Sequence, residues 1–383
     1  MSTRQRLTLL AASLFGAVTL ASPSAHAAAD IAAPILIGQV LPMTGPLASV
    51  GRDIEQATRA HFDYVNARGG IAGRRLELIT VDDGNDPKTH AVAASKLIKE
   101  RNVVALLNCF GSTGCVAGAA AAKAEQTALV GPLAGAASLR SGDAGRVFPV
   151  RPEARLEVGY LVDFAHRSGL KRLALYVQDD GFGRGYLGAA REALKSRGIG
   201  NVVEVIFVPN ATDYDAQAKT LMADGVDAVV MLANVTHSTE LIKAVKAISG
   251  NPYFLNLAGQ ANGAFVKALQ GQHAMAAFAA FTPSPWSERL PAAIEYRDAW
   301  QKTARDQNYS FLSFEAYLNA KMLTVALERA GKGSVTRSKL ADSVAALRDT
   351  DLGGMAVSYA GGRREASSFV DLAVMTKTGR FVQ

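Results

Sequence analysis

The chain has 383 residues, of which 49% are hydrophobic and 20% are charged, and its formal net charge is +7 at pH 7. This composition is typical of an ordinary globular protein, and the length favours about two domains. The lysines and arginines are scattered among acidic residues, so the sequence favours a mixed solvated surface over one that binds nucleic acid or an anionic membrane.

The N-terminal segment has the order of a secretory signal peptide. Two arginines lie within the first six residues, an uncharged and largely apolar stretch covers residues 7–20, and the tripeptide Ala25-His26-Ala27 follows. We therefore predict a signal peptide over residues 1–27, cleaved near Ala27, and an exported mature chain. The apolar stretch is shorter than the ~20 residues that span a bilayer, and no later run is long and apolar enough, so no stable membrane insertion is expected.

Apolar runs rich in Val, Ile and Leu then alternate with segments of helical periodicity, of which residues 53–66 are the first. Strands separated by helices indicate right-handed βαβ units and a parallel sheet, and two such blocks predict an α/β protein with two doubly wound lobes. The runs predicted as strands are Ile35–Leu41 and residues 76–81, 103–107, 127–130, 172–177, 202–208, 226–232 and 253–257.

Two proline-containing segments, residues 148–152 and 282–285, separate the blocks and are interpreted as crossings between the lobes, although proline alone does not exclude ordinary surface loops. After the second segment, the chain shows two long helical patterns and a strand-like tail. The helical patterns cover residues 294–304 and 314–330, and the tail covers residues 355–359 and 369–375.

Residues 183–188 read Gly-Arg-Gly-Tyr-Leu-Gly, a G-x-G-x-x-G pattern, and Glu204 follows about twenty residues later, as in dinucleotide-binding proteins. Three features argue against that interpretation. Five residues separate the predicted strand from the first glycine, the carboxylates of Asp179 and Asp180 would repel a pyrophosphate, and Glu204 falls in the middle of a predicted strand. We interpret the glycines as turn residues that open a helix, and we expect no cofactor.

Five further stretches carry a family resemblance: LPMTGPLASVGRD, VNARGGIAGRRLELITVDDGNDP, GPLAGAASLR, VFPVRPEARLE and YVQDDGFGRGY. Together they resemble the type I periplasmic solute-binding proteins of ABC importers, in the leucine-binding-protein-like, branched-chain amino acid group. The resemblance covers essentially the whole mature chain. It implies two Rossmann-like lobes joined by a three-segment hinge, which closes over a small-molecule ligand in the cleft. It also implies a monomeric protein in the periplasm that delivers its ligand to ABC transporter permease subunits.

The resemblance suggests a division of the mature chain at three crossings. We predict an N-terminal lobe from residues 34–150 plus 284–352, and a C-terminal lobe from residues 151–283 plus 353–383.

Candidate ligand contacts follow the C-terminal ends of predicted strands, where ligands of open α/β lobes lie. Ser112 and Thr113 stand where a helix begins, so free backbone N–H groups and the helix dipole favour a carboxylate or another anion there. A plain N-cap is the alternative explanation for these residues. In the resembled family, the residue matching Ser112 holds the carboxylate of the ligand.

The resemblance extends to two more loops. The positions matching Leu133, Ala134 and Gly135 line the ligand in that family, partly through backbone groups. Phe182 stands in the place of an aromatic residue that reaches across from the second lobe, and a local hydrophobic plug over the turn is the alternative.

The chain also departs from the amino-acid binders of that family. They carry a threonine where this chain has Gly135, and an acidic residue that pairs with the ligand's ammonium on the loop where this chain reads NLAGQANGAF, without an acid. A buried ammonium without an anionic partner is costly. Aromatic residues that enclose the ligand are replaced by Val50 and Val235, which predicts a roomier cleft. We therefore expect a carboxylate or amide with a larger apolar or aromatic body, with Gln260 and Asn234 as neutral hydrogen-bonding partners, rather than an α-amino acid.

The two cysteines, Cys109 and Cys115, flank the loop that contains Ser112. Export allows a disulfide, and the chain reversal between a strand and a helix makes a Cα separation within about 7 Å plausible. The alternative is two free, buried, small hydrophobic residues. With only two cysteines and no histidine beside them, we expect no metal site.

No catalytic motif such as G-x-S-x-G or H-E-x-x-H occurs, so we do not expect an enzyme. The best-supported function is a solute receptor for an ABC importer. The first alternative is a ligand sensor that feeds a signalling receptor, and an exported α/β enzyme is a more distant one.

Overall fold

The computed structural model describes residues 33–270, 275–304, 309–331 and 335–383. The predicted signal peptide, residues 1–27, lies outside these residues. The strands in chain order are β1 Ile35–Leu41, β2 Leu76–Asp82, β3 Ala105–Leu107, β4 Ala128–Val130, β5 Val147–Phe148, β6 Leu173–Gln178, β7 Val203–Phe207, β8 Ala228–Leu232, β9 Tyr253–Asn256, β10 Met275–Ala280, β11 Thr350–Asp351, β12 Ala356–Val357, β13 Asp371–Met375 and β14 Phe381–Val382. The α-helices are α1 Ala48–Asn66, α2 Pro87–Lys99, α3 Ser112–Ala124, α4 Ala154–Arg167, α5 Gly181–Ser196, α6 Tyr214–Met222, α7 Val235–Ala247, α8 Gly263–Ala268, α9 Pro291–Thr303, α10 Phe311–Arg329 and α11 Arg337–Ala345.

Two sheets organise the molecule, and they share one strand order. The first sheet is parallel, in the order β2-β1-β3-β4-β5. The second has the order β14-β13-β10-β9-β8-β6-β7, in which β6 to β10 are parallel and β13 and β14 are antiparallel additions. The series β7-β6-β8-β9-β10 repeats the order of the first sheet. Each sheet therefore has a switch point, between β1 and β3 and between β6 and β8, which is where open α/β sheets bind ligands.

The apolar runs form central strands because helices cover both faces of each sheet. All residues of β6 and β8 are buried, as expected for parallel strands with helices on both sides. Local signals fix several helix starts. Asp86 caps α2 by accepting the Thr89 N–H, with Pro87 in the first turn, and Ser310 and Ser313 form a reciprocal capping box at the start of α10. No helix in the described part of the chain is long and apolar enough to cross a membrane.

The chain passes between the two sheets three times. After β5 it reaches α4, which packs on α5 beside the second sheet. After β10 it returns to α9 and α10, which pack on α1 beside the first sheet, and after α11 it crosses again to β13. The first and third crossings are hydrogen-bonded, since the N–H groups of Ala366 and Ser367 donate to the carbonyls of Pro149 and Val150. The predicted lobe boundaries remain predictions.

The α/β class with two doubly wound lobes is confirmed, and several element limits differ from expectation. Helix α1 begins at Ala48 rather than residue 53, and the strand predicted at 355–359 is confined to Ala356–Val357. Strand β10 was not predicted at all, because its sequence MAAFAA is rich in alanine and poor in β-branched residues. It forms a strand because it is buried between β9 and β13, so tertiary packing outweighs local propensity.

Candidate functional site

A cavity of about 90 Å³ lies between the two lobes. Its walls come from the loops that follow β1, β3 and β4 in the first lobe and β6, β8 and β9 in the second. It therefore opens at the two switch points of the sheets. The volume exceeds what a single water molecule needs, so the cavity can hold a small organic molecule.

The structure brings together every residue that the sequence predicted to contact the ligand. The lining includes Ser112, Thr113, Leu133, Ala134, Gly135, Phe182, Asn234 and Gln260, together with Val50 and Val235. Their part in binding remains a prediction. Other lining residues were not predicted as contacts from the sequence, and these include Leu47, Asn85, Phe110, Arg151, Gln178, Asp180, Tyr186, Leu257 and Gly259.

The N-terminus of α3 faces this cavity. Gly111 holds the N-cap position with φ of +79°, a backbone conformation that favours glycine, and Ser112 is the first helical residue. The Ser112 hydroxyl makes no capping bond and no other hydrogen bond with the described residues, so the plain N-cap explanation does not apply to it. The first amide with a helical partner is that of Cys115, which donates to the Gly111 carbonyl at 3.0 Å. The preceding helical amides remain available to an anion.

A disulfide joins Cys109 to Cys115, whose Cα atoms are 5.4 Å apart, and it encloses the loop that carries Ser112. Both cysteines are buried. The same loop is held against the loop after β4, because the Leu133 N–H donates to the Cys109 carbonyl at 2.9 Å. These restraints order the start of α3 without a ligand, which reduces the ordering cost of binding.

The space beside Gly135 is occupied by the Tyr186 hydroxyl, which lies where a Cβ on residue 135 would stand. That hydroxyl donates to Glu157 Oε2 at 2.7 Å, and Glu157 Oε1 accepts the Ala258 N–H at 2.6 Å. Glu157 is fully buried, and burial raises the pKa of its carboxyl. This chain of contacts links the loop after β4, helix α5 and the loop after β9, which form three parts of the cavity wall.

Two buried arginines tie the cavity to the crossings. The Arg151 guanidinium makes a two-pronged ion pair with Glu315 of α10, at 2.7 and 2.6 Å, and lies 4.9 Å from the centre of the Phe281 ring. Arg140 donates to the carbonyls of Ala134, Arg151 and Pro152 at 2.8–3.2 Å. Because Arg151 also lines the cavity, the cavity and the crossing segments share one wall.

A polar chain lines the second-lobe side. Asn234 Nδ2 donates to Gln178 Oε1 at 2.9 Å, and Gln178 Nε2 donates to Asp180 Oδ2 at 2.6 Å. Asp180 Oδ1 caps α5 by accepting the Gly183 N–H, and Asn234 Oδ1 caps α7. Asn234 was predicted to bind ligand, but most of its bonding capacity holds this wall in place. Asp180, which the sequence suggested only as a charge that repels a pyrophosphate, is the one carboxylate among the described lining residues.

Gln260 presents an unused acceptor. Its Nε2 donates to the carbonyls of Met231 and Ala233 at 3.2 and 2.9 Å, whereas its Oε1 is buried without a hydrogen-bond partner in the described structure. The side chain is 3% exposed and lines the cavity. A buried acceptor without a donor is destabilising, so a donor that bonded this atom would stabilise the protein.

The two lobes approach each other around the cavity. A Cβ on Gly259 would lie 3.7 Å from the Phe110 ring, and a Cβ on Gly181 would lie 3.4 Å from the Thr113 methyl group. The loop after β3 and the start of α3 therefore reach both the loop after β9 and the start of α5.

The glycine-rich segment has a structural role. A Cβ on Gly183 would collide with the Gln178 carbonyl, so glycine lets the first turn of α5 pack against the end of β6. Glu204 lies within β7 and pairs with Arg191 at 2.9 and 2.5 Å. Among the described residues, no group of three or more His, Cys, Asp or Glu side chains could hold a metal ion.

Comparison with known proteins gives consistent matches. A sequence model of the family described as periplasmic binding protein matches residues 34–379. A Leu/Ile/Val-binding protein, BraC3, of Rhizobium johnstonii is 26% identical over 333 residues, which are 85% of each chain. A substrate-binding periplasmic protein from Ralstonia solanacearum is 25% identical with a TM-score of 0.83, covering 91% of this chain and 99% of that one. A fatty acid ABC transporter substrate-binding protein from Thermomonospora curvata, at 20% identity and a TM-score of 0.78, covers 91% of each chain.

Proposed function

Because this chain belongs to the periplasmic binding protein family, we propose that it captures a small carboxylate-bearing or amide solute and passes it to the permease subunits of an ABC importer. The chain is a substrate-binding protein of the branched-chain amino acid and ABC transporter type, and its relatives are named as binding proteins rather than enzymes. We further propose that this solute lacks an α-ammonium group.

The proposal rests mainly on the free hydrogen-bond donors at the start of α3. An unbonded hydroxyl on Ser112, free amides in the first helical turn and the positive end of the helix dipole all face one cavity. A carboxylate satisfies these donors together, and a carbonyl oxygen of an amide satisfies them more weakly.

The absence of an α-ammonium follows from the charges in the wall. The loop after β9 carries no acid, and the carboxylate of Asp180 already accepts one hydrogen bond on each oxygen and caps α5. The cation of Arg151 lines the same cavity, paired with Glu315. A buried ammonium here would have to share Asp180 with Gln178 and the start of α5, and it would lie in the same cavity as the Arg151 cation, which is a cost.

The body of the solute is expected to be apolar or aromatic. Apolar side chains form much of the lining, namely Leu47, Val50, Phe110, Leu133, Phe182, Val235 and Leu257. Phe182 and Tyr186 lie with ring centres 5.0 Å apart and present aromatic surface to the cavity. One structure of similar fold is named as a fatty acid ABC transporter substrate-binding protein. Its name supports the view that ligands of this fold are not limited to amino acids.

A thermal-shift screen tests the proposal, using branched-chain amino acids, their 2-hydroxy counterparts, aromatic acids and aromatic amides. We expect the acids without an ammonium group to stabilise the protein, and their effect to shrink in Ser112→Ala. A screen in which only α-amino acids stabilise the protein would refute the proposed solute class. Binding of branched-chain amino acids is the main alternative, because the relative BraC3 is named as a Leu/Ile/Val-binding protein.

A further inference from the structure

We propose that the second-lobe wall of the cavity selects a solute with an uncharged hydrogen-bond donor, a primary amide or a hydroxyl, which donates to Gln260 Oε1. This inference rests on the proposed function, since it describes the other end of the solute whose anionic end lies at α3. It follows from three properties of Gln260: the position of its free acceptor, the fixed orientation of its amide, and the charges around it.

The free acceptor is a buried atom of a side chain that lines the cavity. The Gln260 side chain is 3% exposed and lines the cavity, and its Oε1 has no partner among the described residues. Buried side-chain oxygens in folded proteins are nearly always hydrogen-bonded, so an unpaired one on a side chain that lines the cavity is the acceptor that we assign to a ligand donor.

The orientation of the amide is fixed by its surroundings. Nε2 donates to the carbonyl of Met231, at the end of β8, and to that of Ala233, just beyond it. A flipped amide would place Oε1 against these two carbonyl oxygens and lose both bonds. The side chain can therefore offer only an acceptor to the cavity, and a solute carbonyl or carboxylate at this point would be repelled.

The charges favour an uncharged donor over an ammonium. A glutamine oxygen cannot neutralise a buried cation, and the one carboxylate among the described lining residues, Asp180, is already bonded by Gln178 and by the α5 amide, so an ammonium would have to share it. An amide N–H or hydroxyl completes the bond to Gln260 without introducing a charge. The acid end then contacts the first lobe and the donor end contacts the second, so one solute holds both walls.

The position of Gln260 also connects this contact to closure. Its neighbour Gly259 approaches the Phe110 ring of the first lobe. A solute that bonded both Ser112 and Gln260 would therefore favour the arrangement in which the two lobes approach each other over one in which they are apart.

Calorimetric titration with two matched pairs of acids tests the inference. Succinamate and levulinate differ by an amide NH₂ in place of a methyl group, and 4-hydroxybenzoate and 4-methylbenzoate differ by a hydroxyl in place of a methyl group. We expect the donor-bearing member of at least one pair to bind about tenfold more tightly or better. In Gln260→Met the ratio of affinities within each pair should fall to about one, whatever the variant does to the affinity of both members. Gln270→Met, an exposed site, is the control that should change nothing.

Equal affinities within both pairs for the wild-type protein, or no binding by either donor-bearing acid, would overturn the inference. The wild-type comparison decides the matter even if Gln260→Met fails to fold. The proposed function fails separately, when Ser112→Ala leaves the affinity of every bound acid unchanged.

Discussion

The Tyr186 hydroxyl and a side chain at position 135 exclude each other, because the hydroxyl of Tyr186 lies where the Cβ of residue 135 would stand. The tyrosine is fixed there by its bond to the buried carboxylate of Glu157 at 2.7 Å. This relationship gives a physical reason for Gly135, at a place where the amino-acid binders that the sequence resembles carry threonine.

Gly135→Ala should therefore destabilise the protein and distort the cavity, at a cost of roughly 1–3 kcal/mol from overpacking. Tyr186→Phe should also cost roughly 1–3 kcal/mol, since it leaves Glu157 Oε2 without its donor. Because the residues share one space, the double variant should lose less stability than the sum of the two, as measured by urea unfolding. Gly188→Ala, on α5 with open space around it, is the control and should be neutral or stabilising. Strict additivity would contradict the relationship.

Ser112→Ala should weaken solute binding about ten- to a hundredfold while leaving the melting temperature of the free protein nearly unchanged. The hydroxyl makes no bond within the described protein, so its loss is felt only when a charged ligand group is present. Ser168→Ala, at an exposed helix end, serves as the matched control. Affinity that survives Ser112→Ala would remove this residue from the site.

The disulfide should be present in protein freshly isolated from its exported location. Mass spectrometry after alkylation without reductant should show unlabelled Cys109 and Cys115 and a mass lower by two hydrogens. The double variant Cys109→Ala, Cys115→Ala should bind solute more weakly, since the loop around Ser112 must then be ordered during binding. Two alkylated cysteines in native protein would show that the disulfide is absent and does not order the loop around Ser112.

Lowering the pH should destabilise the protein through protonation of His61, which lies in the first lobe. Burial, aided by the positive charge of Lys321, lowers the pKa of His61 from 6.5 to about 3. Between these values the unfolded chain binds a proton that the folded protein does not, so the free energy of unfolding falls as the pH falls through this window. In His61→Gln, urea unfolding between about pH 6.5 and about pH 4 should show a shallower decline than in the wild type. Identical slopes would show that His61 does not titrate in this way.

The sequence predicted most central strands, because Val-, Ile- and Leu-rich runs separated by helical patterns have few other interpretations. It missed β10, whose alanine-rich run becomes a strand only through burial between β9 and β13. It predicted which loops form the cavity, since ligands of this architecture lie beyond the strand ends. It could not reveal the free oxygen of Gln260 or the place of Tyr186, which depend on contacts between residues far apart in the chain. Asp180 belongs to the sequence motif QDD, but the motif alone did not reveal that its side chain lines the cavity.

The central claim is that the solute carries an acid end but no α-ammonium, and one calorimetric comparison tests it most directly. Leucine and 2-hydroxy-4-methylpentanoate differ only in an ammonium group in place of a hydroxyl. The account predicts that the hydroxy acid binds at least about tenfold more tightly than leucine, because its hydroxyl can meet Gln260 without a buried charge. Micromolar binding of leucine with weaker binding of the hydroxy acid would contradict the account.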